Sequence, residues 1–158
     1  MKRLGINIVF LAIAALVLTT AVSCVLDVDF DRLKDSPLCG RWQSDIEYSG
    51  VSDNRYDYGN QVTLDISVSG NASMTIGNFL KPRAGSEWSE NLSKTPTSTN
   101  YSVWIYPQGS DKTRGSIDFA DPKTLDPIMS LKYSLSVDGK VLVLSDNGYT
   151  QRIYKLIQ

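Results

Sequence analysis

Between Gln61 and Gly70 the chain reads QVTLDISVSG, with apolar and polar residues in strict alternation. Successive side chains of a β-strand point to opposite faces, so Val62, Leu64, Ile66 and Val68 share one face, and Thr63, Asp65 and Ser67 share the other. The same period returns in LKYSLSVDGKVLVLS, where Asp138-Gly139 separates two alternating runs. A two-residue type I′ turn at that dipeptide needs positive φ at both positions. It makes Val137 and Lys140 partners, so that Leu135 faces Leu142 and Tyr133 faces Leu144. Leu131, Tyr133, Leu135, Leu142 and Leu144 then lie on one face, with Val141 and Val143 on the other.

Short strands of this kind fill the rest of the body. GRWQSDIEYS reads as a first strand, followed by an Asp/Asn/Gly-rich loop from Gly50 to Asn60. Gly70-Asn71 reads as a two-residue turn into ASMTIGNF, with Met74 and Ile76 inward. YSVWIY (Tyr101 to Tyr106), RGSIDFA (Arg114 to Ala120) and, after an Asn147-Gly148 turn, GYTQRIYKLI complete the set. No helix-period segment occurs beyond the N-terminal apolar stretch. About eight successive strands with mostly short turns imply an all-β fold, an antiparallel up-and-down barrel that removes exposed edges, with a β-sandwich as the alternative. The inward residues are bulky, which favours a barrel filled by its own side chains over a large open calyx.

Two stretches carry a resemblance. Gly40-Arg41-Trp42 at the first strand and YSLSVDGKVLVLSDNGYTQRIYKL at the end are similar to the small lipocalin-like barrels of many bacterial lipoproteins. In those a Gly-x-Trp opens the barrel, and a hairpin followed by an aromatic-rich strand closes it. The resemblance implies a calyx-like fold, Trp42 packed at the closed end, and binding of a small apolar molecule as one possible role.

The N-terminus is organised differently. Lys2 and Arg3 precede LGINIVFLAIAALVL, in which Asn7 is the one polar residue. A charged start, an apolar core of this length and small residues before a cut make up a secretory signal; a transmembrane anchor needs about 20 apolar residues. Ala21-Val22-Ser23-Cys24 resembles the lipobox of bacterial lipoproteins. With Ala21 where leucine is commoner, it is similar to the looser boxes of spirochaetes. The resemblance implies diacylglyceryl transfer to Cys24, removal of the signal and acylation of the new amine, since stable anchoring takes more than one chain. The expected organisation is a signal helix and peptide over residues 1–23, an acylated tether over 24–38 and a lipocalin-like barrel over 39–158. Position two of the mature chain is Val25, not the aspartate that retains enterobacterial lipoproteins at the inner membrane, which points to the outer membrane. Asp27, Asp29 and Asp31 mimic the start of an EF-hand loop, but its sixth position is Arg32 and its twelfth Leu38, where glycine and glutamate are required. The run is read as a solvated spacer.

Composition narrows the function classes. Losing Lys2 and Arg3 from 16 basic side chains leaves 14 against 17 acidic ones. That balance argues against nucleic acid, whose binding relies on basic patches. With Cys24 lipidated, Cys39 has no partner for a disulfide and is read as a small hydrophobe at the first strand. The chain contains no histidine. It thus lacks the commonest acid–base group, the usual metal ligand and the usual activator of a nucleophile. Aspartates and glutamates are scattered through turns and polar faces. Neither an enzyme nor a cofactor is expected.

Four aromatics are candidate ligand-binding residues. Trp88 stands in KPRAGSEWSENLSKTPTSTN, a polar segment from Lys81 to Asn100 that breaks the strand rhythm. It either folds back to cap the barrel mouth or forms part of a contact surface. Tyr101, Trp104 and Tyr133, with Tyr106 beside them, either line a cavity or divide between core and exterior by alternation. The expected function is that of a non-enzymatic envelope lipoprotein, lipid-anchored through Cys24, whose loops meet an envelope or host protein. The alternative is a carrier of a small apolar ligand.

Overall fold

The computed structural model describes residues 32–51, 55–146 and 150–157. Cys24, the expected signal peptide and the Asn147-Gly148 turn lie outside the described residues. Ten strands form one antiparallel sheet: β1 (Gly40–Ser44), β2 (Glu47–Val51), β3 (Tyr56–Ile66), β4 (Asn71–Pro82), β5 (Ser89–Glu90), β6 (Thr97–Gln108), β7 (Asp111–Ala120), β8 (Pro127–Leu135), β9 (Val141–Asp146) and β10 (Thr150–Ile157). Eight of them close into a barrel in the order β3-β1-β10-β9-β8-β7-β6-β4, with the β3–β4 pairing completing the ring. No described residue is in an α-helix.

The final hairpin has the register expected from its alternation, Leu135 opposite Leu142 and Tyr133 opposite Leu144. Its turn is different. Only Gly139 takes a positive φ, +69°, while Asp138 does not. The Gly139 amide donates to the Ser136 carbonyl at 2.9 Å, and the Asp138 carboxylate accepts from Ser136 Oγ at 2.5 Å and from the Lys140 amide at 3.1 Å. A four-residue loop carried by side-chain hydrogen bonds keeps the same pairing as a two-residue one.

The first hairpin also departs from the two-residue reading. Ser67 and Asn71 form its last pair, the Ser67 amide donating to the Asn71 carbonyl at 2.9 Å. Val68, Ser69 and Gly70 make a three-residue turn with Gly70 at φ +79°, the position such loops reserve for glycine. Val68 therefore sits in the turn, 46% exposed, and does not join Val62, Leu64 and Ile66 on the inner face. Ile76 keeps inward parity opposite Val62 but stands near the open end, 37% exposed.

The first strand is split in two. At the break, Ser44 Oγ is buried and accepts from the Val62 amide at 3.0 Å, while donating to the Asp45 carbonyl at 2.9 Å. A side chain thus takes over a ladder bond, and the strand resumes at Glu47 along the outer half of β3. The region read as a loop from Gly50 to Asn60 consequently contains the start of β3, which pairs with β4 back to Tyr56–Pro82. Beyond the barrel, β2, β3, β4 and β5 continue as a four-stranded flap.

One end of the barrel is sealed. Leu33 and Leu38 are buried with Trp42, Leu64, Ile66, Val103, Ile117 and Phe119 in one core. Trp42 is fully enclosed and its indole N–H donates to the Leu38 carbonyl at 2.9 Å. The Leu33 amide donates to the Val68 carbonyl at 2.8 Å. From Arg32 onward, then, the stretch read as tether is part of the folded body, because its two leucines are the apolar residues that close this end. Cys39 is half-buried at the same place, its thiol donating to the Leu33 carbonyl at 3.2 Å; burial pushes its pKa up.

Candidate functional site

The opposite end carries a cleft of about 210 Å³. Inward parity on β4, β8, β9 and β10 brings Met74, Met129, Leu131, Leu144 and Tyr154 to its walls, with Arg152 and Asp146 at the rim. Its volume lies below the roughly 300–1,000 Å³ of small-molecule pockets, because the side chains below it already fill the barrel. Arg152 also holds a seam. Backbone pairing of β10 with β1 stops at Tyr154–Ser44. Past that point β2 and β10 are linked through side chains, Arg152 Nε and Nη2 to the two Glu47 oxygens at 3.2 and 3.1 Å. Below it, Lys155 Nζ reaches Asp45 at 2.8 Å. Burial opposes the charge on Arg152, but the Glu47 hydrogen bonds and charge, with Tyr154, outweigh it and raise its pKa. Burial likewise raises Tyr154.

The four candidate aromatics do not converge on this cleft. Tyr133 is buried in the core, its hydroxyl donating to the Lys112 carbonyl at 3.3 Å. Tyr101 points inward and meets Phe119 edge-on, ring centroids 5.5 Å apart. Trp104 points outward, under the Arg32 guanidinium at 4.3 Å. Alternation therefore divides the group between core and exterior. Trp88 neither caps the mouth nor lines the cleft. Its ring lies on the outer face of the flap against Gly59, where a Cβ would fall 2.8 Å from the indole, with Lys81 Nζ 5.2 Å from its centroid. A glycine facing outward at that position is what gives a loop tryptophan a seat.

Arg152 and Glu47 were open to sequence reasoning in part. The alternation of TQRIYKLI places Arg152 on the same face as Tyr154, but a charge at an inward position makes sense only where the barrel opens. That depends on the strand break at Ser44. Carboxylates with depressed pKa values are elsewhere and serve turns: Asp111 is held down by Thr113, and Asp121 by the Thr124 and Lys123 amides. Among the described residues no group of three or more His, Cys, Asp or Glu side chains is placed to hold a metal ion. No family model matches the chain, and no curated protein or solved structure matches it.

Proposed function

We propose that the chain is a lipid-anchored, non-enzymatic envelope protein of lipocalin-like build, whose barrel presents its flap and open end to a protein partner. The observation that carries this reading is the packing of Arg32 to Cys39 against one end of the barrel. Arg32 is seated at that end, so the flap and the open end lie at the opposite pole of the barrel, which supports their presentation away from an anchor. The flap carries exposed apolar residues on short elements, Tyr48 on β2 and Leu92 just after β5, of the kind that anchor protein contacts. Anchoring through Cys24 is tested by palmitate labelling in the native host, with incorporation expected for the wild type and none for Cys24→Ala. Presentation is tested by photo-crosslinking from position 48 or 92 in intact cells. A discrete adduct that is missing from a position-137 control supports it, and identical patterns from all positions would sink it.

The mouth cleft favours one second reading, capture of a small apolar group by Met74, Met129, Leu131 and Leu144 with Arg152 at the entrance. Native mass spectrometry checks this. A bound mass, or a shift on adding fatty acids, supports it, and a clean apo mass under both conditions removes it.

A further inference from the structure

The outer wall of the barrel carries a second concavity, a groove of about 440 Å³ across β1, β3, β4 and β6. Its lining follows from register. Arg41 lies opposite Asp65, Asp65 opposite Ser73, and Ser73 opposite Asn100. These four residues form one row across four neighbouring strands, all on the face that alternation turns away from the core. Neighbouring strands are about 4.8 Å apart, so the row spans about 14 Å. Thr63 and Thr75 form the next row, and Pro122 closes one end.

The hydrogen-bonding capacity of this row is unspent. Among the described residues, no side-chain hydrogen bond or ion pair engages Arg41, Asp65, Ser73 or Asn100, although Arg41 and Asp65 are direct cross-strand partners of opposite charge. In the adjoining row Thr75 Oγ1 and Ser98 Oγ share a bond of 2.7 Å. The row therefore offers a guanidinium, a carboxylate, a hydroxyl and an amide, donors and acceptors in alternation. One cation and one anion leave it without net charge, which excludes phosphate-rich ligands that bind by charge. The row is polar while much of the remaining lining is apolar, a mixture that suits a ligand with both hydroxyls and C–H faces.

We propose that this groove binds a short neutral oligosaccharide lying across the strands. A pyranose chain presents hydroxyls along its edges, each able to donate and accept, and its advance per residue is close to the strand spacing. Asp65 accepts from the hydroxyls of one ring, Asn100 accepts from and donates to those of the ring two further on, Arg41 donates at one end, and the C–H face of the terminal ring lies against Pro122. The volume falls within the several-hundred Å³ range of small-molecule sites. This site is independent of the anchoring and of the mouth cleft.

The test is titration of the full-length protein, in detergent, with cellotetraose, maltotetraose and chitotetraose, followed by isothermal calorimetry or amide chemical shifts. Saturable binding of at least one is expected, weakened tenfold or more by Asp65→Ala and by Asn100→Ala. Both residues are solvent-facing, so both variants keep the fold, as a circular dichroism spectrum verifies. Met129→Ala in the mouth cleft leaves the binding unchanged. Absence of binding to all three, retention of full affinity in the Asp65→Ala/Asn100→Ala double variant, or tighter binding of a sulfated oligosaccharide would each overturn the assignment. A free sugar and a surface glycan share this chemistry. Competition by the free tetrasaccharide against isolated envelope polysaccharide separates them, and displacement identifies the polysaccharide as the source.

Discussion

The guanidinium of Arg32 lies 4.3 Å from the centroid of the Trp104 ring while its Nη2 donates to the carbonyls of Gly70 at 2.9 Å and Val103 at 2.6 Å. One side chain thereby joins the N-terminal segment, the first hairpin turn and β6. Hydrogen bonds from a charged donor contribute about 1.5–3 kcal/mol each, and a cation–π contact about 0.5–1 kcal/mol. The buried Nε, which has no partner, offsets part of that. Arg32→Ala is expected to lower the unfolding free energy by about 2–3 kcal/mol, and Arg32→Lys to recover only part, because an ammonium lacks the planar fork. At Gly70 a Cβ would run into that guanidinium, so Gly70→Ala gives a similar loss, and the double variant falls short of the sum. Urea midpoints at constant m value check this; a wild-type midpoint for Arg32→Ala would refute the clamp.

Gly59 and Trp88 offer a second test. A Cβ at residue 59 would stand 2.5 Å from Ile46 Cγ2 and 2.8 Å from the indole. Gly59→Ala is therefore expected to displace Trp88 and lower stability by about 1–3 kcal/mol, the usual effect of overpacking. Acrylamide quenching reports the release of the indole, with the fully enclosed Trp42 as internal reference. Quenching unchanged from wild type counts against the seat.

Stability should fall at both ends of the pH scale. Asp111, Asp121 and Asp138 have folded pKa values depressed by turn hydrogen bonds, from Thr113, from the Thr124 and Lys123 amides, and from Ser136 with the Lys140 amide. A depressed carboxylate stabilises the fold above its unfolded pKa of about 3.9, and that contribution is lost as the pH falls through the folded value. Tyr133 and Tyr154 are raised by burial. Their contribution is complete below pH about 10 and disappears as the pH rises through their folded values. Chemical denaturation at pH 3, 4, 7 and 10.5 should trace this dome. The double variant Asp121→Asn/Asp138→Asn should flatten only its acid limb; an unchanged acid limb would remove the turn carboxylates as its cause.

The turn of the last hairpin can be decided by one substitution. In a type I′ turn Asp138 would have positive φ, and Asp138→Gly would relieve it. Here Asp138 has ordinary φ and accepts from Ser136 and Lys140, so Asp138→Gly is expected to destabilise by about 1 kcal/mol through lost bonds and a freer unfolded chain. A gain in thermal midpoint would point to the two-residue turn instead.

The pairing of Leu135 with Leu142 was legible because a hairpin register is a local property, fixed by alternation on either side of one turn. The same alternation could not tell that Val68 had left the strand, since a three-residue turn preserves the pattern up to its own first residue. Nor could it show the break after Ser44, which depends on a hydroxyl meeting the Val62 amide from another strand. Trp88 was conspicuous, yet a loop indole has no period to follow, and its destination was set by a glycine 29 positions earlier. The groove row from Arg41 to Asn100 needed three long-range registers at once. Each residue alone reads as ordinary solvated surface.

The sealed end has a mechanical consequence. Tension applied to the chain ahead of Arg32 reaches the Arg32 clamp and the Leu33–Val68 backbone bond before it reaches any ladder of the barrel. Under load, this short segment peels first, one contact after another, and the ladders of the ring yield only after it. The segment from Arg32 is thus a mechanical fuse at the entry to the barrel, and stretching the body by that end should extend it by the length of the peeled segment before the barrel gives way.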